Sequence, residues 1–245
     1  MNKIIDLIKE HRSIRKFTEQ EIPDNTVSEL ILAGQSAATS SFIQACTVIQ
    51  VKDTRNRELI AAMAGNQSYV SSAPVFLVFC ADFHRLSLCS KKHKQDMLSG
   101  FTEQLITATV DTSLFAQNTV IAAESLGLGS VYIGGIRNDP HAVSKLLELP
   151  ENVYPVFGLC LGYPDQNPEI KPRLPLELIF KQEKYSSVKD NQLINDYDEV
   201  TLKYYKTRNE NNKIEPWSKQ MSAMLSKESR PHMKNFLEQQ GFKCN

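Results

Sequence analysis

A single tryptophan, Trp217, occurs in 245 residues, and no apolar stretch comes near the length of a membrane span. The most apolar run, Pro74 to Ala81, covers eight residues, where a spanning helix needs about 20. Membrane insertion is not expected. Lys3, Asp6, Lys9 and Glu10 stand where an export signal would be apolar, so the expected location is cytoplasmic. Charge of either sign in excess is also missing: Lys+Arg and Asp+Glu are both 28, so no global field favours nucleic acid, and any anion site must be a local arrangement. The five cysteines, at 46, 80, 89, 160 and 244, are odd in number and form no C-x-x-C pair, which argues against a disulfide framework and a zinc centre. Cys89 and His93 have helical i,i+4 spacing without a second ligand pair, so no metal is expected. Two signatures, G-x-x-x-x-G-K-[ST] and G-x-S-x-G, are absent. A dinucleotide G-x-G-x-x-G fails at Tyr132, where the last glycine would stand, and its context precedes a strand instead of following one.

What remains is a globular chain, 41% hydrophobic and 23% charged, able to bury a substantial core. Helical periods predict helices from Asp24 to Gln35, Thr54 to Met63, Leu105 to Leu126, Pro140 to Leu147, Asp190 to Tyr205, Glu215 to Lys227 and Pro231 to Gln240. Strands are expected at Cys46–Val51, Pro74–Ala81, Val131–Gly135 and Val153–Gly162. Six of the eleven prolines fall between Pro150 and Pro175, so the chain after the last strand should be extended. Residues 1–165 are read as the core, and 166–245 as a C-terminal excursion with helices belonging to the same domain.

Two basic clusters stand out, His11-Arg12-Ser13-Ile14-Arg15 and Lys171-Pro172-Arg173. Guanidinium forks suit a phosphate or the carbonyl edge of a heteroaromatic ring, and Arg12 and Arg15, three apart near the end of a helical period, could reach one ligand. The same residues also suit a solvated basic helix end. Between the clusters, Gly127 to Gly135 holds four of the ten glycines, as though backbone approached something closely there.

Several segments appear in order along nearly the whole chain: His11-Arg-Ser-Ile-Arg15-Lys-Phe17, Thr39-Ser-Ser-Phe-Ile-Gln44, Gly65-Asn-Gln67, Phe79-Cys-Ala-Asp82, Ala122-Ala-Glu-Ser-Leu-Gly-Leu-Gly129, Tyr132-Ile-Gly-Gly135, Lys171-Pro-Arg-Leu-Pro175 and Lys227-Glu-Ser-Arg-Pro231. With them the chain resembles the oxygen-insensitive NADPH nitroreductase and NADPH:flavin oxidoreductase family. The resemblance implies an α+β fold with a mixed, mainly antiparallel sheet among helices. It further implies a homodimer with FMN at the interface and a C-terminal excursion that wraps the partner.

By the same resemblance His11, Arg12 and Ser13 would bind the FMN phosphate and ribityl chain, Arg15 the pyrimidine edge, and Lys171 and Arg173 would complete the phosphate site. Thr39, Gln67 and Tyr69 would add contacts, and the backbone of Tyr132, Ile133, Gly134 and Gly135 would lie along the ring. Ser41, Phe42 and Glu103 would border the cleft for small-molecule acceptors. Arg208 and Lys213 would hold the NADPH 2′-phosphate; Lys213 stands where an arginine is usual and Glu210 adds negative charge, which weakens bidentate recognition. No catalytic side chain is expected, because the flavin carries the chemistry and Arg15 stabilises charge on it. The expected activity is transfer of reducing equivalents from NADPH to nitroaromatics or quinones with ping-pong kinetics. The alternatives are a reductase of free flavin serving a monooxygenase and, further off, a non-enzymatic flavin carrier.

Overall fold

The computed structural model describes residues 2–208 and 213–243 and divides into two compact units, 1–168 with 230–245, and 169–229. Glu210 and Cys244 lie outside the described residues.

The larger unit is built on a four-stranded sheet in the order β1-β2-β4-β3, formed by β1 (Cys46–Gln50), β2 (Val75–Asp82), β3 (Gly129–Ile133) and β4 (Val153–Gly162). All three pairings are antiparallel, and the parallel element is a lone bridge between Ser13 and Ser130. Strand β2 is buried along its whole length because both of its faces are covered. Phe76, Val78 and Cys80 point into one core with Ile60, Ala61 and Val143, carried by α3 (Thr54–Met63) and α7 (Pro140–Leu146). Val75, Leu77 and Phe79 point into the other, against Val27 and Leu30 of α2 (Asp24–Gln35) and Ala116, Val120 and Ala123 of α6 (Thr102–Ser125). The two-residue period of a strand thus divides one apolar run between two layers. Gly158 of β4 is required there, since a Cβ would stand 2.6 Å from the ring of Phe76.

α6 starts earlier than its apolar pattern suggests, because the Gln104 side chain turns back to accept the N–H of Phe101 at 3.3 Å. Its Asp111, a polar break in the sequence pattern, is only 2% exposed. The opposite side of α6 leaves Ile106, Val110 and Leu114, spaced four residues apart, each 45–51% exposed. Helix α5 (His84–Lys92) was not singled out from sequence, because it is short and strongly polar and buries no residue fully. The chain also forms α1 (Lys3–Lys9) and α4 (Tyr69–Ser72), and α11 (Met233–Gln239) ends at Gly241, whose φ of +91° suits the residue after a helix cap.

The smaller unit holds α8 (Leu176–Ile179), α9 (Asp190–Thr207) and α10 (Trp217–Leu225). Tyr197, Thr201 and Tyr205 form the buried stripe of α9 at helical spacing. The Ser218 backbone N–H donates to Asp198 at 2.8 Å, which ties the start of α10 to α9. Among the described residues no helix is long and apolar enough to cross a membrane.

Candidate functional site

The segment that follows α1 is held by the sheet. Ile14 donates its backbone N–H to the Ser130 carbonyl at 2.8 Å, and its buried side chain occupies the space that Gly129 leaves open. A residue with a Cβ at 129 would meet Ile14 at 2.6 Å. α1 ends at Lys9, so Arg12 and Arg15 do not share a helical face; extended backbone along β3 sets their directions instead. Arg12 donates through Nη1 to Asn167 Oδ1 at 2.6 Å and lines a cavity of about 240 Å³ with Ile14, Glu124 and Gln166. Arg15 does not line it, as alternation along extended backbone dictates. The backbone N–H groups of Arg15 and Lys16 both donate to Gln166 Oε1 at 2.7 Å, so one side chain fixes the course of the basic segment. His11 Nδ1 lies 2.5 Å from Glu124 Oε1 near the end of α6.

The glycine-rich stretch has mostly internal reasons. Gly127 has a φ of +76° directly after α6, Gly129 makes room for Ile14, and a Cβ on Gly135 would overlap the Ala64 carbonyl oxygen. Gly134 is different, because a Cβ there would meet only the movable end of Arg137, at 3.3 Å. The close approach at Gly135 brings the turn after α3 against the turn of residues 134–138. Gln67 and Tyr69 follow that first turn; Tyr69 packs against the core that holds Ile133, and its carbonyl accepts the Cys160 thiol of β4 at 3.4 Å. The Tyr132 side chain turns away into the core, edge-on to Phe157 at 5.0 Å, and burial with the nearby Glu124 carboxylate pushes its hydroxyl pKa up.

Beyond Gly134, Arg137 donates to the Val156 carbonyl, and burial, then Arg230, lowers its pKa. Arg230 donates to Asn138 Oδ1 at 2.9 Å. Glu124, Gln166, Asn167 and Asn138 were not singled out from sequence; each is an ordinary polar residue whose role appears only when distant segments meet.

Thr39, Ser41 and Phe42 sit on a turn between α2 and β1, with left-handed backbone at Ser41 (φ 47°), Phe42 (φ 58°) and Gln44 (φ 55°). Such non-glycine conformations cost on the order of 1–3 kcal/mol each and persist only where the surroundings enforce them. Phe42 is 82% exposed. Glu103 is exposed in the first turn of α6, and its carboxylate accepts from the Thr107 hydroxyl at 3.4 Å.

In the smaller unit, the Tyr197 hydroxyl donates to the Pro172 carbonyl at 2.9 Å, which lays Lys171-Pro172-Arg173 along α9. Lys171, Arg208 and Lys213 all approach the ring of Tyr205, at 5.8, 5.8 and 5.5 Å from its centroid. Two cation groups separated in sequence therefore converge on one aromatic ring.

A buried antiparallel sheet between helical layers, with a basic segment on its edge and turns packed at the end of β3, is the frame of a ligand-binding α+β enzyme. The chain belongs to the nitroreductase family, whose pattern matches residues 8–163, while that of the nitroreductase family C-terminal domain matches residues 171–245. It is 44% identical over 241 residues to the NADPH-flavin oxidoreductase of Vibrio harveyi, covering 98% of each chain. It is also 44% identical over 243 residues to the oxygen-insensitive NADPH nitroreductase of Salmonella typhimurium, covering 99% of each. The solved structure of the NADPH:FMN oxidoreductase from Vibrio harveyi complexed with NAD+ superposes with a TM-score of 0.92 at 41% identity, over 100% of both chains.

Proposed function

We propose that this protein is a cytoplasmic, homodimeric FMN oxidoreductase that takes reducing equivalents from NADPH and passes them to nitroaromatics, quinones or related acceptors. The observation that carries the reading is the convergence of sequence-distant segments in the larger unit: Ser13 bridges to Ser130, and the turn after α3 packs on the turn that follows β3. The residues fit FMN chemically. His11, Arg12 and Ser13 offer cationic and hydroxyl donors, Gly134 leaves backbone without a blocking side chain, and Thr39, Gln67 and Tyr69 offer polar contacts. Bound FMN would supply the two-electron chemistry between nucleotide and acceptor.

The remaining roles belong to the chain's own groups. Arg15, its backbone held by Gln166, would set a guanidinium against the pyrimidine edge of bound FMN and favour its reduced form. Lys171 and Arg173 supply further cations for the phosphate. Arg208 and Lys213 take the 2′-phosphate of NADPH, Lys213 as a point charge and not as a fork. Ser41, Phe42 and Glu103 frame the acceptor. One cleft serving donor and acceptor in turn gives ping-pong kinetics. The exposed Ile106, Val110 and Leu114 stripe on α6 supports a dimer, since apolar side chains in register need a cover.

A second reading, a reductase of free FMN, has support of equal weight: the relatives bearing the two activities in their names are each 44% identical. The test is an anaerobic titration of the purified protein with NADPH, followed visibly. Bleaching of a yellow protein, then faster reoxidation by nitrofurazone than by free FMN, supports the first reading; the reverse order supports the second. A protein that takes up no FMN refutes both.

A further inference from the structure

The carboxylate of Asp111 is buried in α6, and no ion pair among the described residues includes it. Its two oxygens instead accept backbone N–H groups from either end of one turn: Oδ1 from Ser40 at 3.0 Å and Oδ2 from Ala45 at 3.4 Å. Between those anchors lie Ser41, Phe42 and Gln44, all left-handed and none of them glycine. Other bonds close the turn on itself and on its neighbours: the Ile43 N–H donates to the Ser40 carbonyl at 2.9 Å, the Cys46 N–H to the Gln44 carbonyl at 2.9 Å, and Arg85 Nη1 to the Gln44 carbonyl at 3.2 Å. Ser40, Ser41, Phe42 and Gln44 are exposed, and a cavity of about 540 Å³ opens beside them, lined in part by Thr39, Phe42, Asp111 and Phe115. Thr112, one residue further along α6, donates to the Ala45 carbonyl at 3.4 Å, and the Thr39 hydroxyl accepts from the Gln44 N–H at 3.4 Å.

We propose that Asp111 is a positioning residue for acceptor selection: its carboxylate clamps the Ser40–Ala45 turn shut and so holds Phe42 in place. This rests on the reading of Ser41 and Phe42 as borders of the acceptor cleft. A carboxylate suits the task better than an amide, because it offers two acceptors to two N–H donors, whereas asparagine would turn an NH₂ towards one of them. NADPH has a second handle in the cations that take its 2′-phosphate. A small nitro compound lacks one and depends more on the shape of the turn, so the effect falls on the acceptor.

The test uses the FMN-loaded enzyme, with Asp111→Asn, Phe42→Ala and the double variant. In Asp111→Asn the KM for nitrofurazone rises about fivefold or more, while FMN content and the anaerobic rate of reduction by NADPH stay within about twofold of wild type. Phe42→Ala gives a similar rise, and adding Asp111→Asn to it gives no further one, since both act through one side chain. A KM unchanged in Asp111→Asn, or two effects that multiply independently, overturns the proposal. If Asp111→Asn does not fold, Gln44→Pro replaces it: proline cannot adopt the left-handed φ at 44, so the turn opens while the Asp111 carboxylate is kept. The same rise is then expected, and its absence overturns the proposal. Wild-type protein that NADPH does not bleach would defeat the functional reading itself, separately from the role of Asp111.

Discussion

His11 Nδ1 and Glu124 Oε1 lie 2.5 Å apart, although 113 residues separate them in the chain. The pair is mostly shielded from solvent and ties the segment after α1 to the last turns of α6. Glu124→Ala should free the imidazole and weaken FMN binding about tenfold, as expected for loss of a partly buried hydrogen bond to a charged group. Fluorescence titration of the apoprotein with FMN measures it; an unchanged dissociation constant would detach His11 from the cofactor.

Arg15→Ala should lower the rate of reduction by NADPH by about 100-fold and leave the melting temperature nearly unchanged, because the residue is exposed and its backbone anchor to Gln166 survives. Stopped-flow bleaching decides the point. Full activity would remove Arg15 from the stabilisation of reduced cofactor.

Arg208→Ala should raise the KM for NADPH about tenfold and leave that for NADH almost unchanged, since only NADPH carries the 2′-phosphate. Lys171 and Lys213, at the same Tyr205 ring, keep some positive field in place. Equal effects on the two nucleotides would refute the assignment.

Gly135→Ala should cost about 1–3 kcal/mol through overpacking and lower Tm by several degrees, because the added methyl runs into the backbone carbonyl of Ala64. Gly134→Ala meets only the end of Arg137, so it should be milder towards folding while disturbing FMN binding. Calorimetry with flavin titration separates the two.

Burial pushes the Cys46 and Cys160 thiols from 9.0 up to about 12, against smaller opposing effects from the Thr112 hydrogen bond and from Arg57 respectively. The Cys80 thiol is raised too, again by burial first. The folded state therefore holds these protons more tightly than the unfolded chain does. Below the unfolded value of 9.0 both states are protonated and these thiols add no pH dependence; between 9.0 and about 12 the unfolded chain loses protons first and stability falls. The urea midpoint should decline above about pH 9, and Cys160→Ala should soften the decline. A midpoint flat to about pH 11 would contradict the burial argument.

Much of the architecture could be read from periodicity. Thr54–Met63 and Val153–Gly162 match their predicted limits, because their signals are local: an Asp53 side chain that caps, and an unbroken apolar run. The site was legible as motifs but not as geometry. A helical face shared by Arg12 and Arg15 was the wrong picture, since α1 stops at Lys9 and bonding to Ser130 sets the directions beyond it. The glycines pointed to close approach, and at 129 and 135 what approaches is the chain itself.

Composition and local pattern by themselves determined a globular chain of helices and strands, with an unbroken apolar strand at Pro74–Ala81 and separate basic clusters, because hydrophobic period and turn chemistry act over a few residues; the α+β arrangement came from the family resemblance. Only the tertiary structure decided that Glu124 meets His11, that Gln166 fixes the course of the Arg15 segment and that Asp111 closes a turn about 70 residues away. Those contacts depend on which polar atoms are buried together. Burial is a property of the packed whole, and no window of sequence contains it.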